Sequence, residues 1–309
     1  MTDASQPTRY GYFGPAGTFT QMALKAWTPE ADATAYDSVD ATLAAVREGR
    51  IDAGMVPIEN SVEGGVSATL DALSVGEQLH IIGEVLVPIT FVLAARPGMP
   101  LSRVRAVGTH SHAWAQVRGW MDANLPDAAY LPTLSTAASA QTLATETDPP
   151  FEAAVCAPGA ATRFGLDVLA EDIGDNGGAV TRFVLVSRPG HLPPASGADK
   201  TTVVLFQKLD RPGGLLELLE QFAVRGVNMV RLESRPTGEA MGSYCFSIDF
   251  EGHLAEERVR ESLIGLKRVC ADVRFLGSYP RADGRQGIID AGMGDDDFVV
   301  ARAWIDALS

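Results

Sequence analysis

Two apolar runs, His80 to Ala95 and Gly177 to Val186, do most to limit what this chain can fold into. Both are rich in β-branched and apolar residues, so both read as buried strands. The first carries Pro88 in its middle, and a strand broken by Pro suggests a crossover between two lobes. Strands and helices alternate between the two runs. Val104 to Gly108, Ala128 to Leu134 and Ala153 to Ala157 read as strands, and each is followed by a helix, from Thr109, Ser135 and Pro158. The same alternation precedes the first run, with strands at Arg9 to Phe13, Ala33 to Tyr36 and Ile51 to Val56. Out through one crossing and back through another predicts two α/β lobes with a ligand cleft between them.

Beyond Val186 the pattern changes. Residues 188–200 form a Pro/Gly/Ser linker. Thr201 to Gln207, Val227 to Ser234, Ser243 to Phe250 and Ala271 to Ser278 read as strands, with helices at Gly213 to Val224 and Glu256 to Lys267. That order is βαββαβ, a ferredoxin-like unit whose one-sided sheet and free edge favour pairing with another copy. The expected organisation is a two-lobed α/β domain over 8–187 (one lobe 8–86 plus 177–187, the other 87–176), the linker, the βαββαβ domain over 201–280, and a tail over 281–309. The tail ends in a short amphipathic helix.

A formal net charge of −14 argues against a nucleic-acid partner, which needs a basic face. It leaves room for a small anion held by local groups. Cys156, Cys245 and Cys270 lie far apart in apolar runs and read as reduced core residues. No apolar stretch reaches the roughly 20 residues of a membrane span, and Met1 to Pro7 has no signal-peptide core. The expected location is cytoplasmic. His110 and His112 lack a third ligand at suitable spacing, so no metal is expected.

Candidate site residues gather where strands meet helices. Thr181 and Arg182 begin the returning strand, one a hydroxyl, the other a fork of donors matched to a carboxylate; an Arg there needs an anion, either a ligand's or a partner within the fold. Gly14 to Thr20 forms a glycine turn into a helix, which by spacing alone reads as a turn without a ligand, although such a turn presents backbone N–H groups to an anion. Pro57 to Gly65 clusters Glu59, Asn60, Ser61 and Glu63 between a strand and the next helix, where α/β folds place ligands.

Six motifs in order carry a resemblance to one family. They are Gly14-Pro-x-Gly-Thr-Phe-Thr20, Val56-Pro-Ile-Glu-Asn-Ser-x-x-Gly-Gly65, Thr109-His-x-x-Ala-x-x-Gln116, Ser135-Thr-Ala137, Thr181-Arg-Phe183 and Glu233-Ser-Arg-Pro236. Together they resemble the prephenate dehydratases with a C-terminal ACT regulatory domain. The chain departs where the family usually has Ser-His-Pro-Gln, here Thr109-His110-Ser111-His112, and at Ala179, where many members have Asn. The resemblance implies periplasmic-binding-protein-like lobes, prephenate as substrate, phenylpyruvate as product, and no cofactor. Thr181 is then the most important residue, bonding the leaving hydroxyl. Arg182 is expected on a substrate carboxylate, so that Arg182→Gln mainly raises KM. Thr18, Thr20, Ser135 and Thr136 position the anionic ends. Asn60, Ser61, Thr109, Gln116 and Phe183 line the wall. Glu59 and Glu63 are both open as proton donors.

The resemblance further implies that L-phenylalanine acts as effector between paired ACT domains, in a homodimer or homotetramer. Its pocket takes in Gly213, Gly214, Leu215 and Asn228 with Glu233, Ser234, Arg235 and Pro236. Two other readings stand beside this one: arogenate dehydratase activity, and a non-catalytic amino-acid sensor.

Overall fold

Short strands alternate with helices over residues 9–190. The computed structural model describes residues 9–190, 192–237 and 244–308. In it β1 (Tyr10–Phe13), α1 (Phe19–Trp27), β2 (Ala33–Tyr36), α2 (Val39–Arg47), β3 (Ala53–Asn60), β4 (Gly64–Gly65), α3 (Ser67–Ser74) and β5 (His80–Pro88) come first. β6 (Val92–Ala95), β7 (Ala106–Thr109), α4 (Ser111–Asn124), β8 (Ala129–Pro132), α5 (Thr136–Thr145), β9 (Ala153–Cys156), α6 (Pro158–Arg163) and β10 (Asp167–Ala170) follow, and β11 (Val180–Ser187) returns. Hydroxyls fix three of the helix starts. Thr18, Ser38 and Ser135 each accept from the N–H three residues on.

These strands form two sheets. The first has the order β2-β1-β3-β11-β5, with β4 added on β3, and the second β10-β6-β9-β7-β8. The chain leaves the first sheet after Pro88, the last residue of β5, and β11 brings it back. A proline at a strand end removes no ladder hydrogen bond from the sheet interior. One apolar core, including Tyr12, Met55, Leu93, Val155 and Leu185, draws on both sheets. The strands β4 and β10 have no counterpart in the sequence reading. One is two glycines, and the other is four residues, Asp-Val-Leu-Ala, with its first two exposed.

The third sheet is built by β12 (Asp199–Phe206), α7 (Gly214–Ala223), β13 (Met229–Pro236), β14 (Tyr244–Glu251), α8 (Glu257–Val269) and β15 (Asp272–Pro280), in the order β13-β14-β12-β15. Ser243, where the sequence reading starts the third strand, lies outside the described residues, as do residue 8, His191 and Ser309. Helices α7 and α8 cover one face through Leu218, Phe222, Val259 and Leu266. The sheet is not one-sided, however. On its other face Val204, Cys245, Leu276 and Tyr279 share a core with Ile58, Ile81, Val184 and Val186 of the first sheet. Gly277 makes the close approach possible. A Cβ there would stand 2.3 Å from the Ile81 carbonyl oxygen, and its φ is +125°. The tail ends in α9 (Asp295–Asp306), tied to α8 by Arg302 with Glu257 and Glu261. Among the described residues no helix is long and apolar enough to cross a membrane.

All three cysteines are free and buried. Burial pushes the Cys156 thiol up to about 12 and that of Cys270 up to about 11, and it raises Cys245 as well. Thiolate is the reactive form, so the folded protein is expected to show no fast reaction with a thiol reagent at pH 8. All three thiols react once denaturant is added. A fast-reacting thiol in the native protein would contradict this burial.

Candidate active site

Strand ends and helix starts from both sheets converge on one cleft of about 320 Å³. Thr18, Phe19 and Thr20 come from the start of α1, and Val66 from the start of α3. His110, His112 and Ala113 come from the start of α4, and Ser135 and Thr136 from that of α5. Four helix N-termini therefore point partial positive charge and backbone N–H groups at one space. The residues lining the cleft include no Lys or Arg. Phe13, Ile89, Phe91, Leu134 and Phe183 supply apolar wall. The cleft suits a compact ring carrying anionic groups.

Strand β11 brings Thr181 and Phe183 to this cleft. In the ladder Thr181 lies opposite Asn60 on β3, and Asn60 Nδ2 donates to Thr181 Oγ1 at 2.8 Å. The Asn60 Oδ1 accepts from the N–H groups of Val62 and Glu63, at 2.8 and 3.2 Å. Two backbone donors at that oxygen leave only the amide nitrogen to face Thr181. Thr181 is thereby an acceptor toward Asn60, and its own proton is free to point into the cleft.

The cleft is spanned at its mouth. Glu63, on the hairpin after β3, pairs with His112 Nδ1 and accepts from Gln116 Nε2 at 3.2 Å. Both partners sit on α4, in the other sheet's half of the molecule. The two histidines and the apolar wall apart from Phe183 were not among the expected site residues. His110 caps α4 by accepting from the His112 N–H, and its burial lowers its pKa. A histidine beside a helix start that also ends a strand is the signal that points to it. Among the described residues, no group of three or more His, Cys, Asp or Glu side chains is placed to hold a metal ion.

Four expected site residues are elsewhere. Arg182 follows Thr181 on a strand, so its side chain leaves from the opposite face. It points toward the third sheet: Nε donates to Glu84 of the neighbouring β5 at 2.5 Å, and Nη2 to Tyr279 Oη of β15 at 2.8 Å. Nη1 pairs with Asp249 and, at 3.3 Å, with Glu59. The same parity removes Glu59 from the cleft while Asn60 stays in it. Ser61 does not line the cleft. Its hydroxyl accepts from the Val180 N–H and holds the start of β11. Thr109 is fully buried and donates to the Val155 carbonyl at 2.8 Å.

The Arg182 cluster is buried apart from Glu59. Asp249 accepts from Arg231 twice at 2.9 Å and from Thr202 at 2.8 Å, and Glu84 accepts from Lys200 Nζ and the Ala282 N–H. Burial alone would raise the Asp249 carboxyl, but Arg182 and Arg231 outweigh it and hold it well below the ordinary carboxylate range. Glu84 is likewise lowered against its burial, by Arg182 and Lys200.

Among the described residues, Gly214 and Asn228 of the expected effector pocket line two different cavities. Gly214 lines a hollow of about 220 Å³ with Gln207, Leu209 and Arg268. Asn228 lines a separate groove with Arg281 and Arg285. On β13 the residues alternate. Glu233 accepts from the Gly65 N–H and Arg235 pairs with Asp71, both against the first sheet's side, while Ser234 and Pro236 are exposed at the sheet edge. Gly213 and Leu215 flank Gly214 at the start of α7.

Comparison with known proteins gives a consistent result. The family model described as prephenate dehydratase matches residues 10–191. The prephenate dehydratase of Amycolatopsis methanolica is 44% identical over 303 residues, covering 97% of this chain and 98% of that one. That of Mycobacterium tuberculosis H37Rv is 43% identical over 283 residues, covering 88% and 87%. Among solved structures, the prephenate dehydratase of Arthrobacter aurescens in complex with L-Phe superposes with a TM-score of 0.93 at 55% identity, covering 97% of this chain and 99% of that one.

Proposed function

The chain belongs to the prephenate dehydratase family, and on that footing we propose how its cleft carries out the reaction. The activity is the decarboxylative dehydration of prephenate to phenylpyruvate. Prephenate is a dianion on a cyclohexadiene ring. It loses CO₂ from one end of the ring and its hydroxyl from the other, and one proton taken up makes that hydroxyl leave as water. The ring becomes aromatic, so the step is strongly downhill. The protein must hold two carboxylates, assist the leaving hydroxyl and exclude water.

The orientation of the Asn60 amide carries this reading. It leaves the Thr181 proton to donate to the leaving hydroxyl. The helix starts at Thr18–Thr20 and Ser135–Thr136 receive the carboxylates, with no guanidinium in the cleft. Phe183 and the neighbouring apolar wall pack the ring. Glu63, with Gln116 and His112, closes the mouth over it.

The first two sheets correspond in this reading to the lobes of a periplasmic-binding-protein-like catalytic domain, and the third to an ACT domain. L-Phe then acts as an effector, which the Arthrobacter aurescens complex supports. Gly213, Gly214 and Leu215 at the start of α7 and the outer residues Ser234 and Pro236 of β13 lie apart in one chain. Two copies paired through the β13 edge bring such residues together, giving a homodimer or a higher homo-oligomer.

The test mixes purified protein with prephenate, with and without phenylalanine, and follows phenylpyruvate, with arogenate run alongside. Rapid turnover of prephenate that phenylalanine suppresses is expected. Turnover indifferent to phenylalanine removes the effector half, and preference for arogenate reassigns the substrate.

A further inference from the structure

The segment 60–71 is gripped from two directions. On its inner side Asn60 holds Thr181, and Glu63 reaches across the cleft to His112 and Gln116. On its outer side the Gly65 N–H donates to Glu233 Oε1 at 3.1 Å, and six residues on Asp71 pairs with Arg235 at 2.8 Å. Glu233 and Arg235 share one face of β13, while Ser234 and Pro236 lie on the exposed face. Gly65 leaves no room for a side chain. A Cβ there would stand 2.9 Å from Glu233 Oε1 and 2.8 Å from Leu70 Cδ1. The contact is thus a close fit of backbone against carboxylate, one strand face away from the exposed β13 edge.

We propose that Glu233 is a positioning residue for the cleft. By holding the Gly65 amide it fixes the hairpin that carries Asn60 and Glu63, and it passes a displacement of β13 to the catalytic residues. The regulatory part rests on the effector reading above. The positioning part rests on the Glu233–Gly65 geometry alone.

The test uses the full-length chain with Glu233→Ala, Glu233→Gln, Gly65→Ala and the double variant Glu233→Ala/Gly65→Ala. Gln keeps an oxygen that accepts from the Gly65 amide, and Ala does not. Glu233→Ala is expected to raise KM for prephenate about fivefold or more and to weaken phenylalanine inhibition about tenfold, with phenylalanine binding by calorimetry within about twofold of wild type. Glu233→Gln is expected to restore both. Gly65→Ala should reproduce the rise in KM, and the double variant should be no worse than Gly65→Ala alone, as for two ends of one contact. The proposal is overturned if Gln behaves as Ala does, if Glu233→Ala abolishes phenylalanine binding, or if the two changes add. If phenylalanine neither binds nor inhibits the wild type, the regulatory reading falls. The KM of the Ala and Gln variants still decides the positioning role.

Discussion

Thr181→Ala is expected to lower kcat by about 10²–10³-fold with KM little changed, the loss typical of one well-placed donor or proton-transfer group. The reason is where the hydroxyl proton points. Asn60 donates to Thr181 Oγ1, and its own oxygen is occupied by the Val62 and Glu63 amides. The only useful direction left for the Thr181 proton is the cleft. Charge grows on the substrate hydroxyl as its C–O bond breaks, so the bond to it strengthens toward the transition state and appears in kcat. Thr181→Ser keeps the hydroxyl and is expected to recover most of the rate. Asn60→Ala frees Thr181 to rotate and is expected to act in the same direction, with the double variant little worse than Thr181→Ala. Steady-state kinetics on the four proteins decide the matter. Full turnover by Thr181→Ala would remove Thr181 from the reaction.

The pattern of strands and helices was legible because each segment carries its own periodicity. The two apolar runs correspond to β5 with β6, and to β11, where the chain passes between sheets. The hydroxyls of Thr18 and Ser135 were legible because helix caps are local, and Thr136 follows its cap directly. Arg182 was misread for a reason also present in the sequence. Neighbours on a strand face opposite ways, so Thr181 and Arg182 cannot serve one cleft. A buried Arg needs an anion, and here its anions are Glu84 and Asp249, which are 98 and 67 residues away in the chain. Both are acids inside apolar strands, as is Lys200 among cations, and that is the trace such a cluster leaves in a sequence. The second buried face of the third sheet was hidden likewise. Val204, Cys245 and Tyr279 sit on strands that read the same whether their partner is solvent-facing sheet or another domain.

That cluster predicts the other large effect. Asp249→Asn is expected to destabilise the protein by about 3–5 kcal/mol, the cost of leaving buried cations without their partner. At about 2–4 °C per kcal/mol the midpoint of thermal unfolding falls by roughly 6–20 °C. Asp249 is fully buried and is the shared acceptor of Arg182 and Arg231. Removing its charge takes the carboxylate partner from Arg231 and one of the carboxylates from Arg182, while Glu84 still pairs with Arg182 and Lys200. Arg182→Gln strikes the same cluster, so it is expected to lower stability and leave KM for prephenate nearly unchanged, the reverse of what a substrate contact would give. The pH dependence has a definite sign. The folded protein holds Asp249 and Glu84 below their ordinary pKa values, so the unfolded chain binds more protons. Their contribution is complete above the unfolded carboxylate range, about pH 4, and is lost as pH falls below it toward the folded values. Wild-type stability should therefore drop on acidification below about pH 4, and Asp249→Asn should show a shallower slope. Calorimetric melts of both proteins between neutral and acid pH measure it. Equal slopes, or an Asp249→Asn midpoint within a degree of wild type, would show that the cluster does not hold the third sheet to the first.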